Sequence, residues 1–338
     1  MLGLKVKHKY AQEVKSDLLS KGIFDKDYLP KKEKEDIIFP IIKSITLPNT
    51  IQIESIEFEK STKITLSLKE ALRDKLTEKE LAILKTAYDT TGDIAILEID
   101  EELRPKEHII GKTLLDIQKQ IKVVVRKDGN HEGTFRTQKM KIIAGENRLE
   151  TTHIENGVKL LLNVETVYFS PRLSTERDRI NKLVTASEEV LVMFSGCGVY
   201  PVNIGKNTKA KHVVGIEINP EGHNYALKNV ILNKLKNVEL YNGDVKEIVP
   251  KLNKKYDRIL MPLPKSAEDF LDVALSVSKI GTIIHFYDFL HEDKFEEAHK
   301  KIEKACKKQS LKYKILNTIK CGQQSPKVYR ICVDFEIC

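Results

Sequence analysis

Between Val190 and Pro264 the chain carries glycines, carboxylates and prolines in an order that suits nucleoside binding. A short apolar run over 189–194 ends in Ser195-Gly196-Cys197-Gly198. A second over 212–217 ends in Glu217, a third over 238–244 ends in Asp244, and a fourth over 257–261 runs into Pro262-Leu263-Pro264. Glycines behind a first strand let the backbone approach a nucleoside closely, and an acid about 20 residues farther on can accept ribose hydroxyls. A second acid in the place of Asp244 suits an adenine amino group. No complete Gly-x-Gly-x-x-Gly follows the first strand, which argues against a dinucleotide and for S-adenosylmethionine. Phe194 and Gly196 are then expected along the methionine end, with Gly198 also cofactor-binding, Glu217 at the ribose and Asp244 at the adenine. Ile218 is expected over one adenine face, and Pro264 on the side of the target base. A lone Gly-x-Gly reads equally well as a tight turn. The ordered set carries the inference, because each member stands where its strand should end.

Those residues need a sheet to hold them. Runs over 189–194, 212–217, 238–244, 257–261 and 281–286 predict a doubly wound parallel sheet, a fold that binds ligands at the carboxyl ends of its strands. Two last segments, 313–318 and 328–335, predict an antiparallel hairpin. The fold class expected is therefore α/β, a class I (Rossmann-like) methyltransferase sheet with a C-terminal hairpin, preceded by two small α+β domains. The domains expected are a small basic unit over 1–60, an accessory unit over 61–166, and the connector plus cofactor-binding unit over 167–338. In the first, residues 9–21 show helical spacing of Ala11, Val14, Leu18 and Leu19, and 36–42 and 51–57 read as strands. Lys31-Lys32-Glu33-Lys34-Glu35 reads as a solvated loop, with an RNA contact as the lesser alternative. In the second, 76–87 and 107–121 predict helices and 93–99 and 122–126 strands. Asn156-Gly157, between 151–153 and 158–163, is the strongest short-range hairpin signal.

A length of 338 residues predicts two or three domains, and 41% hydrophobic residues suffice for packed cores. No apolar run of about 18 residues is present to span a membrane, and the first residues lack the apolar stretch of a signal peptide. A cytoplasmic protein is expected. The net charge of +8 favours a polyanionic partner, although thermophile-like enrichment in Lys, Glu and Ile produces the same balance. The five cysteines show no C-x-x-C pair and no metal-binding spacing with histidine, so reduced thiols and no metal are expected. Cys197 reads as a small residue fitting the glycine turn. A pairing of Cys321 with Cys332 across the terminal hairpin stays open.

Several segments carry a family resemblance. Asp89-Thr90-Thr91-Gly92-Asp93-Ile94-Ala95, Ala144-Gly145-Glu146-Asn147-Arg148, His153-x-Glu155-Asn156-Gly157, Val167-Tyr168-Phe169-Ser170-Pro171-Arg172-Leu173 and Glu176-Arg177 resemble the archaeal and eukaryotic tRNA guanine-37 N1-methyltransferases. The resemblance runs from about Asp89 to the end of the chain. The N-terminal unit is similar, less distinctly, to the family's small domain that binds the tRNA elbow. The family methylates the purine 3′ of the anticodon and binds tRNA as a monomer, so tRNA is the implied partner. The sequence departs from the family at Met261-Pro262-Leu263-Pro264, where an asparagine usually precedes Leu-Pro. Proline there, with His285-Phe286-Tyr287-Asp288-Phe289, resembles the archaeal wyosine-pathway branch. Some members of that branch also methylate C7 of 4-demethylwyosine, giving isowyosine.

The resemblance implies roles for particular residues. N1 of guanine is protonated at neutral pH, so alkylation there calls for a base and for stabilisation of charge on O6. Glu176 matches the family's proposed base; by its own position it reads also as a carboxylate favouring a helix N-terminus behind Ser174 and Thr175. Arg136 matches the arginine held to stabilise O6, or is a phosphate contact. Pro262 removes an amide from the purine edge and leaves a more open, apolar rim. Tyr168 and Phe169 are candidates to stack on an extruded base, against the plainer reading of core aromatics. Asn147, Arg148, Arg172 and Arg177 are candidate contacts to the RNA, with solvated charges as the alternative. His153 reads as structural. Methylation of N1 alone, and a tRNA-binding module without catalysis, remain as rival functions.

Overall fold

A computed structural model describes residues 1–25, 27–60, 66–129, 133–263 and 266–338. Two compact units divide the chain, Met1–Glu70 and Ala71–Cys338.

The first unit is a four-stranded sheet in the order β2-β3-β1-β4, from β1 (Leu2–Lys7), β2 (Lys31–Lys32), β3 (Asp36–Ile41) and β4 (Thr50–Ile53), with α1 (Ala11–Ser20) inserted after β1. Leu4 and Val6 point inward from β1 and join Val14 and Leu18 of α1 and Phe39 and Ile41 of β3 in one apolar core. The strand over Leu2–Lys7 is not anticipated above, although Leu4 and Val6 alternate with Lys5 and Lys7 at the period of a half-buried strand. Of the charged run at 31–35, the first two residues form a short exposed edge strand and the rest turn the chain into β3.

A short helix α2 (Leu68–Ala71) ends at the first residue of the second unit, and α3 (Glu78–Ile83) follows. Thr77 and Glu80 close a reciprocal capping box at the start of α3. The helix expected over 76–87 is confined to those six residues, because Leu84 turns extended at ψ 115° and the chain heads into the next strand. A four-stranded sheet follows in the order β5-β6-β7-β8, with β5 (Tyr88–Thr91), β6 (Ile94–Leu97), β7 (Val123–Lys127) and β8 (Met140–Gly145); α4 (Glu107–Ile117) joins the parallel pair β6 and β7. The Asn156-Gly157 signal is realised as the hairpin of β9 (Glu150–Glu155) and β10 (Val158–Asn163).

After α5 (Ser174–Leu183) comes the large sheet. Its strands are β11 (Glu189–Met193), β12 (His212–Glu217), β13 (Val238–Asn242), β14 (Arg258–Met261), β15 (Ile283–His291), β16 (Tyr313–Ser325) and β17 (Val328–Ile337), in the order β13-β12-β11-β14-β15-β17-β16. The five strands from β13 to β15 are parallel; β17 runs antiparallel to β15, and β16 to β17. The intervening helices are α6 (Val199–Asn207), α7 (Pro220–Leu232), α8 (Val245–Lys251), α9 (Leu271–Ser276) and α10 (Glu296–Lys308). This is the expected doubly wound sheet with its terminal hairpin, and order reversal beside β11 puts the ligand crevice at the carboxyl ends of β11, β12 and β14.

Two asparagines tie hairpin to sheet. Asn229 of α7 accepts from Leu161 N at 2.7 Å and donates to Leu161 O at 2.9 Å, and Asn233 just past α7 does the same with Lys159 at 3.0 and 2.7 Å. Spaced four residues apart, the two amides stand on one helix face and satisfy the free edge of β10 as a neighbouring strand would. Ile94 and Val125 of the middle sheet share a core with Leu160 and Leu162 of the hairpin and with Cys197 and Val202 of the large domain.

Candidate active site

The glycine turn behind β11 is built by backbone shape. Phe194 sits at φ 63°, Gly196 at φ 58° and Gly198 at φ 79°. A left-handed phenylalanine is strained, and such strain collects at ligand sites. Its ring packs edge-on against Phe270, 4.9 Å between centroids. A Cβ on Gly198 would stand 2.9 Å from Ala226 Cβ, so glycine there permits close approach of α6 and α7. Gly196 has only Tyr168 O nearby, at 3.6 Å, so its turn is open to a ligand.

Glu217 organises the crevice. Oε2 accepts from Gly196 N at 2.6 Å and Oε1 from Asn219 N at 2.8 Å, which ties the end of β12 to the glycine turn. Burial pushes its carboxyl above the ordinary range, and the backbone donors oppose that only in part. Each oxygen keeps a lone pair for a further donor, as the hydroxyls of a ribose would be. Asp244 caps α8, its Oδ1 accepting from Lys246 N at 2.8 Å.

A cavity of about 180 Å³ joins these residues: Phe194, Gly196, Glu217, Ile218, Asp244 and Pro262 line it, and Arg136 and Tyr168 border it. Carboxylate acceptors, glycine cradle and adjacent apolar walls fit an adenosyl group with a methionine tail. The reading of the residues missed Asn219, Gly222, Gly243 and Phe270, which also line it. Asn219 carried a legible signal, since Asn-Pro at the start of α7 is a cap, and its Oδ1 accepts from Glu221 N at 3.0 Å. Gly198 does not line the cavity, and Pro264 lies outside the described residues.

Tyr168 stands between this cavity and a second of about 350 Å³, both of which it lines with Arg136. The Arg136 guanidinium lies 5.7 Å from the Tyr168 ring centroid. Phe169 lines the second cavity only and packs 5.0 Å from the His153 ring and 5.3 Å from the Arg177 guanidinium. His153 in turn accepts from Gly92 N at 3.1 Å, a structural contact.

Glu176 is not brought to either cavity. Its carboxylate is gripped by the Arg179 fork, with two bonds of 2.7 Å, and accepts from the Tyr287 hydroxyl at 2.6 Å. Arg179 also donates to Asp334 at 2.6 Å; Asp334 meets His285 Nδ1 at 2.6 Å, and His285 Nε2 faces Arg258, itself paired with Glu188. The result is a buried chain of alternating charge beneath the sheet. Burial lowers the His285 pKa, as suits a neutral ring between a carboxylate and a guanidinium. His285, Cys332 and Asp334 cluster closely enough for a metal, but the two guanidinium groups already occupy that neighbourhood.

Arg177 is buried in a two-bond pair with Glu155 and donates to Ser170 O at 3.1 Å, so it holds the connector rather than facing solvent. Arg148 clamps Asp93 and Glu146, and Arg172, largely exposed, pairs with Asp89 at 2.7 Å. Asn147 is exposed. Cys197 is fully buried and burial pushes its thiol up to about 12, which leaves it inert at neutral pH. Cys321 and Cys332 are free thiols.

Comparison with known proteins places the chain among similar sequences and structures. Residues 151–316 match the TRM5/TYW2 methyltransferase domain, 68–148 the TYW2 N-terminal domain and 3–46 the tRNA methyltransferase 5 N-terminal domain. The chain is 35% identical over 337 residues to tRNA (guanine(37)-N(1))-methyltransferase Trm5b of Pyrococcus abyssi, covering 99% of both chains. It is 32% identical over 269 residues to tRNA (guanine(37)-N(1))/4-demethylwyosine(37)-methyltransferase Taw22 of Nanoarchaeum equitans, covering 64% of this chain and 88% of that one. The solved complex of aTrm5 and tRNALeu superposes with a TM-score of 0.73 at 30% identity over 100% of both chains.

Proposed function

The chain belongs to the TRM5/TYW2 methyltransferase family, and from that footing we propose that it transfers a methyl group from S-adenosylmethionine to N1 of guanosine 37 in tRNA. The observation that carries this reading is the cavity lined by Gly196, Glu217 and Asp244 on one side and bordered by Arg136 and Tyr168 on the other. S-adenosylmethionine supplies a sulfonium-bound methyl as electrophile. Glu217 accepts the ribose hydroxyls, Asp244 the adenine amino group, Ile218 covers the adenine, and Phe194 and Gly196 border the methionine. Tyr168 stacks on the extruded purine, which costs less to expose from a loop than from a duplex. Arg136, always charged, stabilises the charge that builds on O6. Glu176 takes the N1 proton once tRNA binding draws it from the Arg179 fork.

Pro262 supports a second activity. It lines the cavity with a ring that offers no amide to the purine edge, leaving an apolar rim. The relative from Nanoarchaeum equitans carries both activities in its name. A larger tricyclic purine fits such a rim, so methylation of C7 of 4-demethylwyosine is proposed alongside N1 methylation. We also read the three matched segments as working parts: an N-terminal tRNA-binding unit, an accessory unit contacting RNA through Asn147, and the methyltransferase unit, whose connector contacts it through Arg172, acting together as a cytoplasmic monomer.

The test is mass analysis of nucleosides from tRNA carrying guanosine or 4-demethylwyosine at position 37. N1-methylguanosine from the first substrate is expected, and isowyosine from the second. If only the first appears, the C7 activity fails; if neither appears and calorimetry detects no S-adenosylmethionine binding, the methyltransferase reading fails.

A further inference from the structure

The scheme above assigns no ligand group to the larger cavity behind Tyr168, and one of its walls is an unneutralised cation. Arg330, on β17, is 8% exposed and lines this cavity. Its Nη2 donates to the Tyr168 hydroxyl at 2.8 Å and its guanidinium lies 4.9 Å from the Phe289 ring centroid. Arg330 Nε is buried with no hydrogen-bond partner, and among the described residues no carboxylate pairs with this side chain. Of the other cations lining the cavity, Lys127 is bound to Glu98 and Arg172 to Asp89, both at 2.7 Å, and Arg136 lies over the Tyr168 ring.

A buried guanidinium without a counter-ion is expensive. An unmet buried donor is costly by itself, and an unpaired buried charge more so. The group that would relieve it is an anion with several acceptor oxygens, for which the planar fork of arginine is well matched.

We propose that this cavity is a subsite for a backbone phosphodiester of the bound RNA flanking the target purine, with Arg330 as its anion-binding group. The proposal rests on the tRNA reading above and adds what the extruded base leaves unspecified, where the adjoining strand is held. It also gives Tyr168 a mechanical role. The same guanidinium that receives the phosphate holds the Tyr168 hydroxyl, so an engaged phosphate fixes the ring that separates the two cavities. Arg330 thus positions Tyr168 as well as binding the RNA.

The experiment uses full-length tRNA with a single neutral methylphosphonate at each phosphate flanking position 37 in turn. With the wild-type protein, one of these substitutions should weaken binding about tenfold. Arg330→Gln should lose about tenfold toward unmodified tRNA, become insensitive to that methylphosphonate, and show a slope of log affinity against log salt shallower by about 0.7–0.9. Arg330→Lys should recover part of the salt slope, and Tyr168→Phe, which keeps the guanidinium, should stay sensitive to the methylphosphonate. Calorimetry with S-adenosylmethionine checks that each variant is folded. The subsite is overturned if no flanking methylphosphonate alters wild-type binding more than about twofold, if the losses from Arg330→Gln and the methylphosphonate simply add, or if inorganic phosphate competes while the methylphosphonates do nothing. A wild-type protein that binds tRNA with the predicted phosphate dependence yet transfers no methyl group would leave the subsite standing and remove the catalytic reading.

Discussion

At the scale of single residues, Glu217 serves both fold and ligand. Its oxygens hold the Gly196 and Asn219 amides, so Glu217→Ala removes the ribose acceptor and also releases the glycine turn. Two charge-assisted bonds to ribose are worth enough to lower S-adenosylmethionine affinity at least about a hundredfold by calorimetry; unchanged affinity would undo the ribose assignment. The pH dependence has a definite sign. Burial raises the folded pKa of this carboxyl above its unfolded value, so the ligand-free fold holds the proton more tightly and loses stability as pH climbs from the ordinary carboxyl range, near 4.3, through the raised value. Above that value the loss is complete and the curve is flat. Cofactor affinity runs the opposite way, weak at acid pH and rising to a plateau. Calorimetry in buffers of different ionisation enthalpy should show proton release on binding within that window, and none above it. Glu176 was legible as a candidate base from its neighbours in sequence, yet Arg179 and Tyr287, the latter distant in sequence, decide what its oxygens touch. Glu176→Gln should lower turnover at least about tenfold with little change in tRNA affinity. A variant with full turnover and a lowered melting temperature would make Glu176 a clamp of α5 alone.

At the scale of elements, the joint between accessory hairpin and methyltransferase sheet is polar and specific. Asn229 is completely buried and satisfies both backbone groups of Leu161. Asn229→Ala leaves an orphaned donor and acceptor, so thermal or denaturant unfolding should report a loss of about 2 kcal/mol or more; Asn229→Asp, which keeps the acceptor but not the donor, should recover only part, and a neutral Asn229→Ala would mean that β10 finds other partners. The elements themselves differed in how readable they were. The five parallel strands were legible because each is a compact apolar run punctuated by glycine, acid or proline. Met140–Gly145 and Tyr88–Thr91 were not: β8 pairs with β7 across a register irregularity at Val124 and Val125, and β5 is a four-residue strand of mostly polar residues. Neither shows the alternation from which strands are read.

At the scale of the whole molecule, the proposed tRNA reading would divide the work between two compact units. Residues 1–70 form a compact unit with its own core, while Ala71–Cys338 holds every residue lining the two cavities. A chain beginning at Ala71 should bind S-adenosylmethionine as the full chain does but bind tRNA more weakly, by roughly tenfold or more, because one of two linked contacts is gone. Equal tRNA affinity would assign the first unit no part in recognition. Among the described residues no helix is long and apolar enough to cross a membrane.

What the chain's own residues determined is the class of fold and the ligand edge: strand runs, left-handed glycines and the acids Glu217 and Asp244 are local signals, written within a few residues of where they act. What only the tertiary structure decided is which charged groups are already taken. Arg177 and Arg148 look like RNA contacts along the chain and are spent on Glu155, Asp93 and Glu146, whereas Arg330, unremarkable in sequence, is buried with a donor unmet beside Tyr168. A charge is free or satisfied according to partners brought from far along the chain, and sequence spacing carries no record of that meeting.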